Sequence, residues 1–224
     1  MARGVFITGT DTGVGKTFVA RLLVGAARAR GIDVGYMKPV ASGCMPADGR
    51  PVCGDVAELR ALGLTDDEGD MCPVRFCRPA SPWQAARHEG DRYDEVAIRA
   101  ALARLGRHDR LVVEGIGGLL VPLAADRTVA DLAALIGLPL VIVAANRLGA
   151  INHTLLTVAV ARSHGLVIAG VIVNRVIPPD DDVTIATNAA EIAALTRLPI
   201  LADLPYGPDP AAAWPLVDTA TLFA

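Results

Sequence analysis

Lysine is scarce in this chain, and its two positions are informative. Of 21 cationic Lys and Arg residues, all but Lys16 and Lys38 are arginine. Lys16 is next to last in the run Gly9-Thr-Asp-Thr-Gly-Val-Gly-Lys-Thr17, and Lys38 lies in Tyr36-Met-Lys-Pro39. An ammonium is a compact point charge with rotatable donors, and at a phosphate a planar guanidinium does not replace it. A glycine-punctuated turn between an apolar run (Val5 to Thr8) and an amphipathic stretch (Phe18 to Arg30) lets backbone N–H groups converge on phosphate at a helix N-terminus. Gly13, Val14, Gly15 and Lys16 would wrap the phosphates, and the Thr17 hydroxyl would hold Mg²⁺. The spacing is unusual: Gly-x4-Gly-Lys-Thr requires glycine at position 10, which is Thr10, whereas the glycine is Gly9.

Two acids complete the candidate chemistry. Glu114 ends the apolar run Arg110-Leu-Val-Val-Glu and precedes Gly115, Ile116, Gly117 and Gly118. A strand-end carboxylate opposite a phosphate loop is suited to Mg²⁺, and the glycines suit close approach of backbone to a ligand. Asp55 begins a short helix, Asp55 to Leu62, and admits two readings: a helix N-cap or a second carboxylate for the metal.

These residues need elements to position them. Strands are expected at Asp33 to Lys38, Arg110 to Glu114, Leu138 to Ala145, Leu166 to Asn174 and Ile200 to Leu204. Helices are expected at Tyr93 to Leu105, Thr128 to Ile136, Ile151 to His164 and Thr184 to Thr196, with a shorter helical stretch near Trp83 to His88. Residues 39–54 are broken by Pro and Gly and read as loop; 178–182 reads as a solvated loop, and the tail as irregular with a short terminal helix. Strands alternating with helices define one α/β domain over residues 1–224, a P-loop NTPase fold with a mainly parallel central sheet flanked by helices. Lys38 and Glu114 then fall at the C-terminal strand ends, where ligands gather in such sheets.

Composition narrows the function. A chain of 224 residues supports a substantial core. A net charge of −3 lacks the footprint of a nucleic-acid binder. No apolar run reaches the roughly 18 residues of a membrane span, and the first strand begins without a leader pattern, so a cytoplasmic protein is expected. Cys44, Cys53, Cys72 and Cys77 lack zinc-ligand spacing and read as reduced thiols; the four histidines read as packed or solvated.

Together, Thr8-Gly-Thr-Asp-Thr-Gly-Val-Gly-Lys-Thr17, Lys38-Pro-Val-Ala-Ser-Gly43, Glu114-Gly-Ile-Gly-Gly118 and Leu148-Gly-Ala-Ile-Asn-His153 resemble the dethiobiotin synthetase family. The likeness runs to about Asn174. It implies an ATP- and Mg²⁺-dependent cyclo-ligase of biotin biosynthesis that joins 7,8-diaminononanoate and CO₂ (supplied as bicarbonate) and releases ADP and phosphate. It implies a homodimer with the diamine site at the subunit interface, and no nucleic-acid or membrane partner. By the same resemblance Lys16 and Lys38 flank the carbamate and γ-phosphate, and Thr17, Asp55 and Glu114 serve Mg²⁺. Thr12 and Ser42 contact the diamine or carbamate; Asn174, Arg175, Leu204, Pro205 and Tyr206 form the base pocket; and Asn152 reaches the substrate carboxylate from the partner subunit. Gly13 departs from the family, where many members have Glu, and so does Trp83 in Ser81-Pro-Trp, where Ser-Pro-His is common.

Two rivals fit less well. A partitioning-type ATPase requires a signature lysine where this chain has Asp11. A glutamine-dependent cobyrinate amidase requires an added glutaminase domain with a nucleophilic cysteine.

Overall fold

The computed structural model describes residues 3–47, 49–178, 181–207, 213–217 and 222. In chain order the first half contains β1 (Gly4–Gly9), α1 (Lys16–Ala29), β2 (Val34–Met37), β3 (Val40–Ala41), β4 (Met45–Ala47), β5 (Arg50–Val52), α2 (Gly54–Arg60), α3 (Glu68–Met71), β6 (Val74–Arg75), α4 (Pro82–Glu89) and α5 (Glu95–Leu105). The second half contains β7 (Arg110–Glu114), β8 (Pro122–Ala124), β9 (Arg127–Thr128), α6 (Val129–Ile136), β10 (Leu140–Ala145), α7 (Ala150–Ser163), β11 (Ile168–Asn174), α8 (Asn188–Thr196) and β12 (Ile200–Leu204). A 3-10 turn follows at Trp214–Leu216. The rest of the expected terminal helix and residues 179–180 of the expected loop lie outside the described residues.

Six strands form the central sheet in the order β12-β11-β10-β1-β7-β2, and every neighbouring pair is parallel. Strand β1 shows why both faces must be covered. Side chains alternate along a strand. Val5 and Ile7 pack with Val19, Leu22 and Leu23 of α1. Phe6 points to the other face, among Ile98 and Leu105 of α5 and Leu132 of α6. A parallel sheet covered on both faces needs strands apolar at every position, and all six residues of β10 are buried.

The connection from β1 to β2 passes over β7, whereas β10 lies on the other side of β1. Chain direction therefore diverges beside β1, and a crevice opens at the C-terminal strand ends there. Gly9, Met37 and Glu114 end the three strands that border it.

The structure revises several local expectations. Residues 39–54 contain two short strands of an exposed hairpin, β4 and β5, and the strand β3, which pairs with β6. Asp55 is not an N-cap: α2 starts at Gly54 and Cys53 occupies the cap position, which places Asp55 in the first turn. Helix α5 begins at Glu95 because Asp94 caps it through the Ala97 N–H. The hairpin β8–β9 had no counterpart in the expected pattern; its end runs into α6, where Thr128 and Asp131 form a reciprocal capping box. Helix α8 starts four residues late, because the Asp182 carboxylate accepts from the Thr184 N–H and hydroxyl and holds that stretch as a turn.

Candidate active site

The loop after β1 turns through two left-handed glycines, Gly13 at φ 75° and Gly15 at φ 90°, the second capping α1. A Cβ on Gly15 would fall 2.1 Å from the Asn174 amide nitrogen. That amide donates to the Val14 carbonyl at 3.0 Å, so the end of β11 braces the loop from behind. The unusual glycine spacing has a physical cause. A Cβ on Gly9 would meet the Asp11 carbonyl at 2.6 Å, Val14 Cγ2 at 2.8 Å and Lys16 Nζ at 3.0 Å. Glycine is required where the loop folds back over the strand end, and in this loop that is position 9.

Lys16 is nearly buried, and its ammonium donates to the Asp11 carbonyl at 3.1 Å. Its pKa falls to about 8, first because burial penalises the charged form and then because Lys38 is close. The lysines isolated among arginines thus share one electrostatic site. Lys38, at the end of β2, pairs with Glu114 Oε1 at 2.6 Å and Asp55 Oδ2 at 2.7 Å. Burial opposes its charge, but the two carboxylates outweigh that and raise its pKa.

Glu114 is fully buried. Besides Lys38 it accepts from the Tyr36 hydroxyl at 2.8 Å and lies 2.9 Å from Thr17 Oγ1. Thr17 Oγ1 also lies 3.0 Å from Asp55 Oδ1. One hydroxyl proton faces two carboxylates, so Thr17 can donate to only one at a time. A hydroxyl oxygen and two carboxylates converging in this way form a hard, all-oxygen donor set that suits Mg²⁺. Among the described residues no group of three or more His, Cys, Asp or Glu forms a metal cage, but Mg²⁺ in phosphate sites takes few protein ligands beside water and phosphate oxygens.

Thr12, Gly13, Gly15, Lys16, Thr17, Lys38, Ser42, Asp55, Glu114, Ile116 and Gly117 all line a single cavity of about 350 Å³. An adjoining cavity of about 440 Å³ shares Thr12, Ser42, Ile116 and Gly117 and adds apolar walls from Pro79, Pro82 and Val121. Of the remaining candidates, Val14 is buried beneath the loop, and Gly115 packs where a Cβ would touch the Phe6 ring at 3.0 Å. Arg175 donates its N–H to the Leu204 carbonyl at 3.0 Å, so the ends of β11 and β12 lie together beside the brace, with Pro205 and Tyr206 exposed just beyond. Asn152 is exposed in the first turn of α7 and lines neither cavity. Trp83 lies in the first turn of α4, 5.6 Å beneath the Arg87 guanidinium.

Tyr36 joins the site although its sequence position marks it only as part of a strand. Its hydroxyl is buried and needs a polar partner, but that partner lies 78 positions away, and nothing local marks it.

A glycine loop joining β1 to α1 at a sheet switch point, with Lys and Thr at the helix start and an acid at a neighbouring strand end, defines a P-loop nucleotide-binding protein. The family model described as an AAA domain matches residues 3–213. Across 92% of both chains, this chain is 50% identical to the ATP-dependent dethiobiotin synthetase BioD of Anaeromyxobacter dehalogenans (strain 2CP-C). It is 37% identical to that of Thermodesulfovibrio yellowstonii, over 92% of this chain and 90% of the relative. The chain belongs to the ATP-dependent dethiobiotin synthetase family. Among solved structures, a ParA family ATPase from Chlorobium tepidum TLS superposes with a TM-score of 0.53 at 16% identity, covering 92% of this chain and 86% of that one. The signal recognition particle receptor FtsY from Elizabethkingia anophelis gives 0.51 at 13% identity, over 100% of this chain and 64% of that chain. At such identities these two share the fold alone.

Proposed function

We propose that residues 1–224 form one ATP- and Mg²⁺-dependent ligase domain that converts 7,8-diaminononanoate and CO₂ to dethiobiotin, with release of ADP and phosphate. The observation that carries this reading is the convergence of the two rare lysines, Lys16 and Lys38, on one cavity beside Thr17, Asp55 and Glu114. Thr17, Asp55 and Glu114 would hold Mg²⁺, which when bound neutralises charge on the phosphate oxygens.

The reaction is phosphoryl transfer to a carbamate followed by ring closure. One substrate amine adds to CO₂ and loses a proton. A carbamate oxygen attacks the γ-phosphorus, and the bond from phosphorus to the ADP oxygen breaks. The second amine attacks the carbamate carbon, phosphate leaves, and the new ring nitrogen loses its proton. Every stage gathers anionic oxygens, so catalysis is mainly positioning and charge stabilisation. Lys16 and Lys38 supply that charge from nearly buried positions, where it is screened least. Gly13, Val14, Gly15 and Lys16 would cradle the phosphates. Gly115, Ile116 and Gly117 would let the β7 end approach them. Thr12 and Ser42 stand at the junction of the two cavities and would contact the diamine, whose aliphatic chain suits the apolar neighbour. Asn174, Arg175, Leu204, Pro205 and Tyr206 would surround the base.

A homodimer is part of the same reading. Leu120, Leu148 and Leu156 are 59%, 77% and 59% exposed. Leu120 and Leu156 line an apolar cavity next to Thr10 and Asp11 of the phosphate loop. A second subunit covering this surface would bring its Asn152 to the substrate carboxylate. A cytoplasmic location follows from the use of ATP and from four unpaired cysteines.

Phosphate release from ATP tests the proposal. It should depend on adding both diaminononanoate and bicarbonate. Equal hydrolysis without the diamine would overturn the ligase reading.

A further inference from the structure

Three of the four cysteines lie outside the chemistry described above yet pack against its supports. Cys44, Cys53 and Cys72 belong to one buried cluster with Val56, Leu59 and Met71. Within it Cys44, Cys53 and Cys72 are 4%, 5% and 0% exposed. The hairpin β4–β5 adds a second relation. Its antiparallel register pairs Met45 with Val52, Pro46 with Pro51 and Ala47 with Arg50. Cys44 and Cys53 immediately flank the last of these pairs, Met45 with Val52, at the open mouth of the ladder. Continuing that register by one residue would oppose them, and opposed antiparallel residues have Cα atoms about 4.5–5.5 Å apart, inside the range a disulfide spans.

Each thiol is tied to a different wall of the phosphate cavity. Cys44 stands two residues after Ser42, and Cys53 two residues before Asp55; Ser42 and Asp55 both line the cavity. Cys53 also caps α2, whose first turn carries Asp55, and its carbonyl accepts the Ala57 N–H at 3.2 Å.

We propose that Cys44 and Cys53 form a peroxide-sensitive dithiol, and that its closure to a cross-strand disulfide slows the enzyme by displacing Asp55 and Ser42. The chemistry balances with one hydrogen peroxide. One sulfur attacks a peroxide oxygen, the O–O bond breaks, and a sulfenic acid and water result. The second sulfur then attacks the first, the S–O bond breaks, and a second water leaves. The two cysteines lose two electrons and two protons, and the peroxide gains them. Closing the bond draws two sulfurs from non-bonded contact to about 2.05 Å. Asp55 lies only 2.7 Å from Lys38 and 3.0 Å from Thr17. Sites of this kind tolerate displacements of only about 0.5 Å, and an error of 1 Å costs up to about a hundredfold in rate.

Cys72 is the competing partner. Its thiol points to the Val74 carbonyl at 3.7 Å, and it lies outside the hairpin.

The linkage is independent of the proposed reaction, while its effect on turnover rests on that reaction. The test treats the reduced full-length protein with hydrogen peroxide, blocks remaining thiols, and maps disulfides by peptide mass spectrometry. Diamine-dependent phosphate release is measured before oxidation, after it, and after dithiothreitol. The expected result is a Cys44–Cys53 linkage with at least a tenfold loss of turnover, restored by the reductant. Cys44→Ser should keep the untreated rate and lose the peroxide response, whereas Cys77→Ser should retain both. A Cys53–Cys72 linkage, intact thiols at 44 and 53, or a Cys44–Cys53 linkage with unchanged turnover would each overturn the proposal. Mapping of the unsubstituted protein decides the linkage even if a serine variant fails to fold. Absent turnover in the reduced protein would count against the proposed function, not against the disulfide.

Discussion

Replacing Lys38 separates what its charge does for the fold from what it does for catalysis. Lys38→Met deletes the ammonium that lies 2.6 Å from Glu114 and 2.7 Å from Asp55. The Lys38 and Glu114 side chains are 6% and 0% exposed, so Glu114 would keep only Tyr36 and Thr17 as partners inside the protein. Removing one partner of a buried pair costs about 3–5 kcal/mol. The lower end applies, because the Asp55 side chain is 32% exposed and water takes over part of its solvation. A loss of about 3 kcal/mol in a chain of this size lowers Tm by about 6–12 °C. Lys38→Arg keeps a cation but places a planar, wider group in a slot closed by Tyr36, Asp55 and Glu114. It should recover most of that stability while turnover falls at least a hundredfold. The assays are urea and thermal unfolding monitored by circular dichroism, beside diamine-dependent phosphate release. If Lys38→Met unfolds within about 1 kcal/mol of the parent, the buried pair contributes little and the electrostatic account is wrong. Near-normal turnover in Lys38→Arg would remove Lys38 from catalysis.

Three further perturbations probe other parts of the site and fold. Glu114→Gln keeps the shape but removes the charge and turns one of the two acceptor oxygens into a donor; the Mg²⁺ concentration needed for half-maximal turnover should rise at least tenfold, and an unchanged Mg²⁺ requirement would make Glu114 structural. Gly9→Ala inserts a Cβ 2.6 Å from the Asp11 carbonyl and 3.0 Å from the Lys16 ammonium, so ATP affinity measured by calorimetry should fall at least tenfold; a change under twofold would show that the loop yields. His108 lies 2.8 Å from Asp33 and 2.9 Å from Asp66; burial lowers its pKa, but the hydrogen bonds to Asp66 and Asp33 outweigh that and raise it. A raised histidine pKa stabilises the fold fully below the ordinary value of about 6.5, and this is lost as pH rises through the folded value. The urea midpoint should therefore decline above pH 6.5, and His108→Gln should flatten that decline; parallel pH profiles would exclude the clasp.

Much of the fold was legible because its signals are local. An apolar run such as Val141 to Ala145 can be satisfied only by burial on both faces, and the spacing of Gly13, Gly15 and Lys16 is read from adjacent residues. The hairpin β4–β5 was hidden because Pro46, Gly49 and Pro51 carry strong loop signals, and a short exposed ladder lacks the hydrophobic alternation that marks a strand. For Asp55 the residues alone left cap and metal carboxylate open, since the two share one sequence signature; its ion pair with Lys38 appears only in the fold.

From the sequence alone came the chemical types: two ammoniums among guanidiniums, a glycine loop, and acids at a strand end and a helix start. Tertiary structure alone decided which of them meet. The Tyr36–Glu114, Thr17–Asp55 and Asn174–Val14 hydrogen bonds join positions 78, 38 and 160 residues apart. Such partners are chosen by strand order and sheet register, which bring distant segments together through burial of whole elements and leave no mark on the residues between them.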